Sequence, residues 1–160
     1  MLKEILEILQ DDAHTTIKQI SAMTGIPGAE VTKHIKQAEK DRVILKYKAI
    51  INWDKVKDEQ VWALIEVKLT PEKDVGFDSI AERIYHFPQT RTIYLISGSY
   101  DLFVLAVGKT NHEIADFVSQ KLSHIEGVQG TVTQFMLKRY KEDGEIIEEK
   151  EEIKRQPVML

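Results

Sequence analysis

Five histidines, at positions 14, 34, 86, 112 and 124, are the side chains here best suited to proton transfer or metal binding. They are dispersed: no two stand three or four residues apart, and none is read as having a carboxylate at ligand spacing, so no metal site is expected. Cysteine is absent, which removes disulfides, thiolate nucleophiles and Cys-based zinc or iron–sulfur sites. No G-x-S-x-G elbow, H-E-x-x-H helix, Walker loop or dinucleotide fingerprint occurs, and Ser97-Gly98-Ser99 lacks the spacing of a phosphate cradle. The expectation is a protein with no catalytic residues and no cofactor, and so not an enzyme. What the side chains offer instead is recognition. Thr32, Lys33, Lys36 and Gln37, with His34 flanking them, collect the donors and positive charge that base edges and phosphates call for. Lys33 and Lys36 are the firmest of these candidates, with Lys46 and Lys48 as further backbone contacts. Glu30 has the wrong sign for phosphate, although it could accept from a cytosine amine.

A helix has to present those residues, and the N-terminal third supplies one. Leu2, Ile5, Leu6 and Leu9 form one apolar stripe of a first helix. A short second helix runs from Ile17 to Met23, with Thr15 or Thr16 as its N-cap. Gly25 suits the end of that helix and Pro27 the start of a third, which turns Ile26, Val31, Ile35 and Ala38 inward. The opposite face carries Ala29, Glu30, Thr32, Lys33, Lys36 and Gln37. Two short helices joined by a tight turn, the second showing polar and basic residues, form a helix-turn-helix that reads the major groove. An ordinary three-helix bundle with a solvated face is the competing reading. Context weakens that reading, since a small helical domain followed by a β-rich, self-pairing domain makes a two-fold reader. Charge decides nothing by itself: residues 1–52 hold eight Lys/Arg against seven Asp/Glu, and residues 53–160 fourteen against nineteen. Within a net charge of −4, nucleic-acid binding therefore belongs to the N-terminal part. A β-like run, Ile44 to Ile51, and a polar link, Asn52 to Gln60, follow.

The rest of the chain reads as one unit used twice. Strands are expected over Val61–Leu69, Thr92–Ile96, Leu102–Val107 and Thr131–Leu137. One helix carries Phe77, Ile80, Ala81, Ile84 and Tyr85; another carries Ile114, Phe117, Val118 and Leu122. Thr110 and Glu113 have capping-box spacing at the start of the second. The order βαβ–βαβ, with a hairpin between the middle strands, is the ferredoxin-like arrangement, an antiparallel sheet with both helices on one face. The fold class is thus α+β: an N-terminal helix-turn-helix domain (residues 1–52), a ferredoxin-like βαββαβ domain (53–140) and an acidic tail (141–160). In Val61–Leu69 and Leu102–Val107 apolar residues occupy both alternating sets, the mark of strands buried on both faces. A second copy of the sheet is the expected cover, which implies a homodimer. No apolar run reaches the ~20 residues of a membrane span. Glu4 and Glu7 set the first residues apart from a signal peptide, so a cytoplasmic location without membrane contact is expected. In the tail, Ile146, Ile147 and Ile153 among glutamates leave two readings: a short helix packed across an oligomer, or a solvated acidic terminus.

Several segments taken in order resemble the Lrp/AsnC (feast/famine) transcription regulators. Ile20-Ser21-Ala22-Met23-Thr24-Gly25-Ile26, Val31, Ile35-Lys36 and Val43-Ile44 are similar to that family's DNA-binding head. Tyr47, Ala49 and residues 52–57 resemble its hinge strand. Ser97-Gly98-Ser99-Tyr100-Asp101-Leu102 resembles its ligand-sensing turn, and Gly127-Val128 with Thr131-Val132-Thr133 the start of its fourth strand. The likeness spans residue 2 to Tyr140. It implies double-stranded DNA as a partner, a dimer through the ferredoxin-like domain, often built into octamers, and an amino-acid-type effector bound between subunits near the Gly–x–Tyr–Asp turn. The chain departs from the family at Pro27, where a helix-capping serine is usual, and at Arg42, where glycine is usual; both bear on the DNA sequence read.

On that resemblance the effector residues are Gly98, Ser99, Tyr100 and Asp101, against Thr131 and Thr133 from the subunit interface. The chemistry fits a zwitterion. Gly98 lets backbone approach a ligand, turn amides accept a carboxylate, Asp101 pairs with an ammonium group, and Tyr100 adds an apolar wall with a polar tip. Gly and Asp are also ordinary turn residues, and Asp101 could serve its own turn. The expected function is a sequence-specific DNA-binding transcription regulator responding to an amino acid or related small effector. The rival is an oligomeric small-molecule-binding protein whose head has lost specific DNA binding, a reading that Glu30 and the head's net charge of +1 favour.

Overall fold

A computed structural model describes residues 1–56, 60–70 and 76–147, apart from the side chain of Asp54. The chain forms two compact units, residues 1–51 and 52–160. The head has three helices: α1 (Leu2–Asp11), α2 (Ile17–Thr24) and α3 (Gly28–Lys40). Thr16 caps α2 through a reciprocal box, in which Gln19 N–H donates to Thr16 Oγ1 (3.3 Å) and Thr16 N–H to Gln19 Oε1 (2.8 Å). The helix ends at Gly25 in the left-handed conformation (φ 72°). Pro27 is the residue just before α3, where its missing N–H costs nothing. Ile5, Ile20, Ile26 and Val31 form the head core, with Ile8, Leu9 and Ile35 against it.

The expected strand over Ile44–Ile51 does not form. Among the described residues this stretch makes no ladder, and Val43, Leu45, Tyr47, Ile50 and Ile51 are exposed. Strand-forming side chains are not enough where no neighbouring backbone lies alongside to pair with. A single 3₁₀ turn (Trp53–Lys55) follows in the second unit.

The second unit is built on a four-stranded antiparallel sheet of order β2-β3-β1-β4: β1 (Val61–Leu69), β2 (Thr90–Leu95), β3 (Leu102–Gly108) and β4 (Val128–Phe135). Strand β2 begins and ends earlier than the pattern suggested, and β4 starts three residues earlier and stops two sooner. Helix α4 (Phe77–Tyr85) connects β1 to β2, and α5 (Asn111–Asp116) follows β3. Together they cover one face, burying Ala63, Ile65, Val67, Val104 and Ala106 against Ile80, Ile84, Ile114, Phe117 and Leu122. This is the ferredoxin-like fold. The continuation of α5 is not α-helical: Phe117–Lys121 is a π turn and Leu122–His124 a 3₁₀ turn. The wider π turn, with its i→i+5 bonding, brings Phe117 and Leu122 toward one buried face, where an ideal α-helix would splay them by more than a quarter turn. The expected capping box is half formed. Thr110 Oγ1 accepts from Glu113 N–H (3.1 Å), but Glu113 Oε2 accepts from Lys109 N–H (2.8 Å).

Cross-strand partners share a face, so register identifies the side away from the helices. Trp62, Leu64 and Glu66 of β1 oppose Val107, Leu105 and Phe103 of β3, with Tyr94 beside Phe103 and Val132 beside Glu66. This second face is largely apolar. One corner is touched from within the chain, where the Arg139 guanidinium stacks 4.8 Å from the Trp62 ring. Beyond β4 a small hairpin, β5 (Lys141–Glu142) and β6 (Glu145–Ile146), turns through Asp143-Gly144. Asn52 Nδ2 donates to the carbonyl of Ile147 (3.1 Å) and ties the hairpin to the segment that precedes β1. Neither a helix nor a merely solvated terminus describes residues 141–147; residues 148–160 lie outside those described.

Candidate functional site

On α3 the buried residues Val31 and Ala38, with half-buried Ile35, define the inward line. At 100° per residue, Ala29, Lys33, Lys36 and Lys40 stand opposite that line, and all four are exposed. Lys40 belongs to this row and was missed; its position seven residues beyond Lys33 was the available signal. Gln37 is exposed, but its amide donates to both carboxylate oxygens of Asp41 (2.9 and 2.8 Å). Thr32 and His34 are half-buried, and the Thr32 hydroxyl donates back to the Gly28 carbonyl (2.8 Å). Of the five residues expected to read DNA, Lys33 and Lys36 are thus presented openly, Gln37 is engaged, and Thr32 and His34 flank. Lys46 is exposed beyond the helix, and Glu30 is exposed on its first turn.

The second candidate is the turn between β2 and β3. Ile96 N–H donates to the Asp101 carbonyl (2.9 Å), and Asp101 N–H to the Val67 carbonyl (3.0 Å), which closes the turn and pins it to β1. The Asp101 carboxylate is spoken for. Its Oδ2 accepts from Leu69 N–H (2.8 Å) and stands 3.1 Å from Lys68 Nζ, while Oδ1 is 3.4 Å from the same ammonium. The Leu69 amide, and after it Lys68, holds this carboxyl below its ordinary pKa of 3.8, since both favour the charged form. Leu69 is where the β1–β4 register shifts, so Asp101 satisfies an amide at a bulge. By contrast, the N–H groups of Ser97, Gly98, Ser99 and Tyr100 find no acceptor among the described residues. Gly98, at φ 147°, has nothing within 4 Å of where a Cβ would stand. The turn is therefore an open cluster of donors.

Thr131 and Thr133, expected at the subunit interface, oppose Val67 and Ile65, and register puts them half-buried on the helix-covered face instead of the apolar face left for a second copy. Leu102 pairs with Val67 from the other side, so the turn and Thr131 flank one residue of β1 about 10 Å apart, twice the strand spacing. His112, read as lacking a carboxylate partner, has one: its Nε2 lies 3.4 Å from Asp116 Oδ2, one helical turn on. Both are surface groups lining a shallow cleft of about 340 Å³ with Gln89, Glu113 and Lys121. Among the described residues no three His, Cys, Asp or Glu come together as a metal site would need.

Residues 2–44 match a winged helix-turn-helix DNA-binding family model, and residues 62–146 match the Lrp/AsnC ligand binding domain. That second match runs six residues past Tyr140 and takes in the terminal hairpin. The chain is 46% identical over 153 residues to YugG of Bacillus subtilis (strain 168), an uncharacterized HTH-type transcriptional regulator, covering 95% of this chain and 92% of that one. It is 31% identical over 144 residues to the HTH-type transcriptional regulator FL11 of Pyrococcus furiosus, covering 90% and 92%. A transcriptional regulator from Neisseria meningitidis, solved as a complex with L-Met, superposes with TM-score 0.69 at 23% identity over 88% of this chain and 90% of that one.

Proposed function

The chain belongs to the Lrp/AsnC family of transcriptional regulators, and on that premise we propose that α3 reads duplex DNA while the Ser97–Leu102 turn receives an amino-acid-type effector. The observation that carries the DNA half is the exposed row of Lys33, Lys36 and Lys40 opposite the buried line of α3. Phosphate pairing supplies most of the affinity of such a face, and Thr32, His34 and Gln37 adjust what it reads. The effector half rests on the open amides of Ser97, Gly98, Ser99 and Tyr100, which suit a carboxylate. L-methionine in the Neisseria meningitidis relative is a ligand of that chemistry. Asp101 anchors this site and keeps only one weakly held oxygen for an ammonium group; Thr131 and Thr133 complete it from the far side of β1.

A second copy of the chain, laid against the Leu64/Leu105 face, is the cover we propose for the sheet, which makes the working unit a homodimer and an octamer its further assembly. The role is regulation without catalysis, in the cytoplasm where the DNA is. Among the described residues no helix is long and apolar enough to cross a membrane. Changing Lys33 and Lys36 together to Ala should weaken binding to any duplex and lower the log–log salt slope by about 0.9 for each lost phosphate contact. An unchanged slope would remove α3 from the interface. If the wild-type chain bound an amino acid in calorimetry yet shifted no duplex, the rival reading would stand, a sensor that has lost its DNA; exposed Glu30 and the engaged Gln37 favour it. The native mass tests the assembly: Leu64→Lys should break the dimer contact and lower that mass, or unfold the domain, since an unpaired charge in an apolar contact is costly.

A further inference from the structure

The last turn of α3 is closed by a Schellman motif, in which Val43 N–H donates to the Ala38 carbonyl (2.8 Å) and Arg42 N–H to the Glu39 carbonyl (3.1 Å). That motif needs a left-handed residue at Arg42, whose φ is 56°. Glycine takes that conformation without cost, whereas arginine sets its Cβ against the following carbonyl. The same head uses glycine for the equivalent place after α2, at Gly25. The other left-handed non-glycine among the described residues is Asp143, a short polar side chain in a hairpin turn that favours it. Arg42 alone has neither excuse.

The surroundings say what the strain secures. Lys33, Lys36 and Lys40 form the exposed row of α3, and Arg42 is the next cation after it. Two carboxylates stand between and beside them, Glu39 and Asp41, and each is engaged by a neutral donor. The Tyr47 hydroxyl donates to Glu39 Oε1 (3.0 Å), and the Gln37 amide to Asp41. Partial desolvation of its hydroxyl first, and the Glu39 bond after it, push the otherwise exposed Tyr47 above its ordinary pKa, which keeps the hydroxyl a donor to that carboxylate. Neither Lys40 nor Arg42 forms an ion pair among the described residues. We propose that Arg42, with Lys40, grips a backbone phosphate of the duplex at the C-terminal end of the reading helix. An arginine fork suits phosphate oxygens, and in homeodomains the far end of the reading helix meets the backbone in this way. This rests on the proposed DNA reading of α3.

Arg42→Gly separates the grip from a purely structural part. Anisotropy titrations of a labelled random-sequence duplex over a range of KCl concentrations should show its salt slope smaller by about 0.9, with affinity down several-fold at fixed salt. Its melting temperature should hold or rise, because the strain is relieved. Arg42→Lys should keep the slope. An unchanged slope for Arg42→Gly overturns the proposal, and with a lowered melting temperature it would make Arg42 a cap for the helix dipole only. A wild-type chain that fails to bind the duplex sinks the DNA reading itself, a result that the slope comparison keeps distinct.

Discussion

The two units of this chain solve the same problem with different means. Among the described residues the head's core cluster has four buried apolar side chains, while that of the sheet unit has thirteen, from the two central strands β1 and β3, from α4, and from α5 and the turns that continue it. The head therefore leans on local devices: a reciprocal cap at Thr16 and Gln19, the turn at Gly25, and the Schellman closure after α3. The sheet unit leans on burial between elements distant in sequence. A small core held by caps leaves most of each helix surface free to touch something else, which a DNA reader needs. A large core can hold its turns rigidly, which a ligand site needs.

That contrast can be broken at three places. The largest loss should come from Phe117→Ala, which empties the π turn beneath the sheet and removes the edge-on contact with Phe87 at 5.4 Å. A truncation of this kind costs about 3–5 kcal/mol. For a domain of this size that is roughly 15 °C or more off its melting transition, measurable by calorimetry, and a shift of a few degrees would contradict the packing described. Ile20→Ala comes next, at about 2–5 kcal/mol. Because Ile20 is one of only four residues in the head cluster, the head should lose its helical circular dichroism and its DNA binding while the transition of the sheet unit stays in place. A common shift of both would mean that the two units do not melt independently.

The smallest effect sharpens the sheet side. Asp101→Ala leaves the Leu69 amide without its acceptor, a loss of about 1–3 kcal/mol. The folded-state pKa of Asp101 is depressed, so its contribution is complete above the ordinary carboxylate range and fades as pH falls through the lower folded value. The gap in melting temperature between wild type and variant should thus be constant at neutral pH and close below about pH 4. A gap that persisted in acid would mean that the carboxylate charge is not what holds the turn. If amino-acid binding survives in this variant, Asp101 anchors the site from outside the ligand's contacts.

The order of elements in the sheet unit, the inward residues of α3, the helix end at Gly25 and the helix start at Pro27, and the two-faced apolar character of β1 and β3 were all legible in the amino-acid string. Each depends on residues within one or two turns of each other, where periodicity and capping chemistry act directly. Lys33 and Lys36 were legible for the same reason. Three features were not. The π turn at Phe117 shifts the helical phase to suit the core packed against it. Ile44–Ile51 has the composition of a strand but finds no neighbour to bond. The carboxylate of Asp101 reaches an amide 32 residues earlier in the chain, across a strand pair whose register no local pattern reveals. Local chemistry decides where helices begin, end and face. Pairing register and the partners of charged groups are decided only when the sheet closes, because those contacts join segments that meet nowhere but in the folded chain.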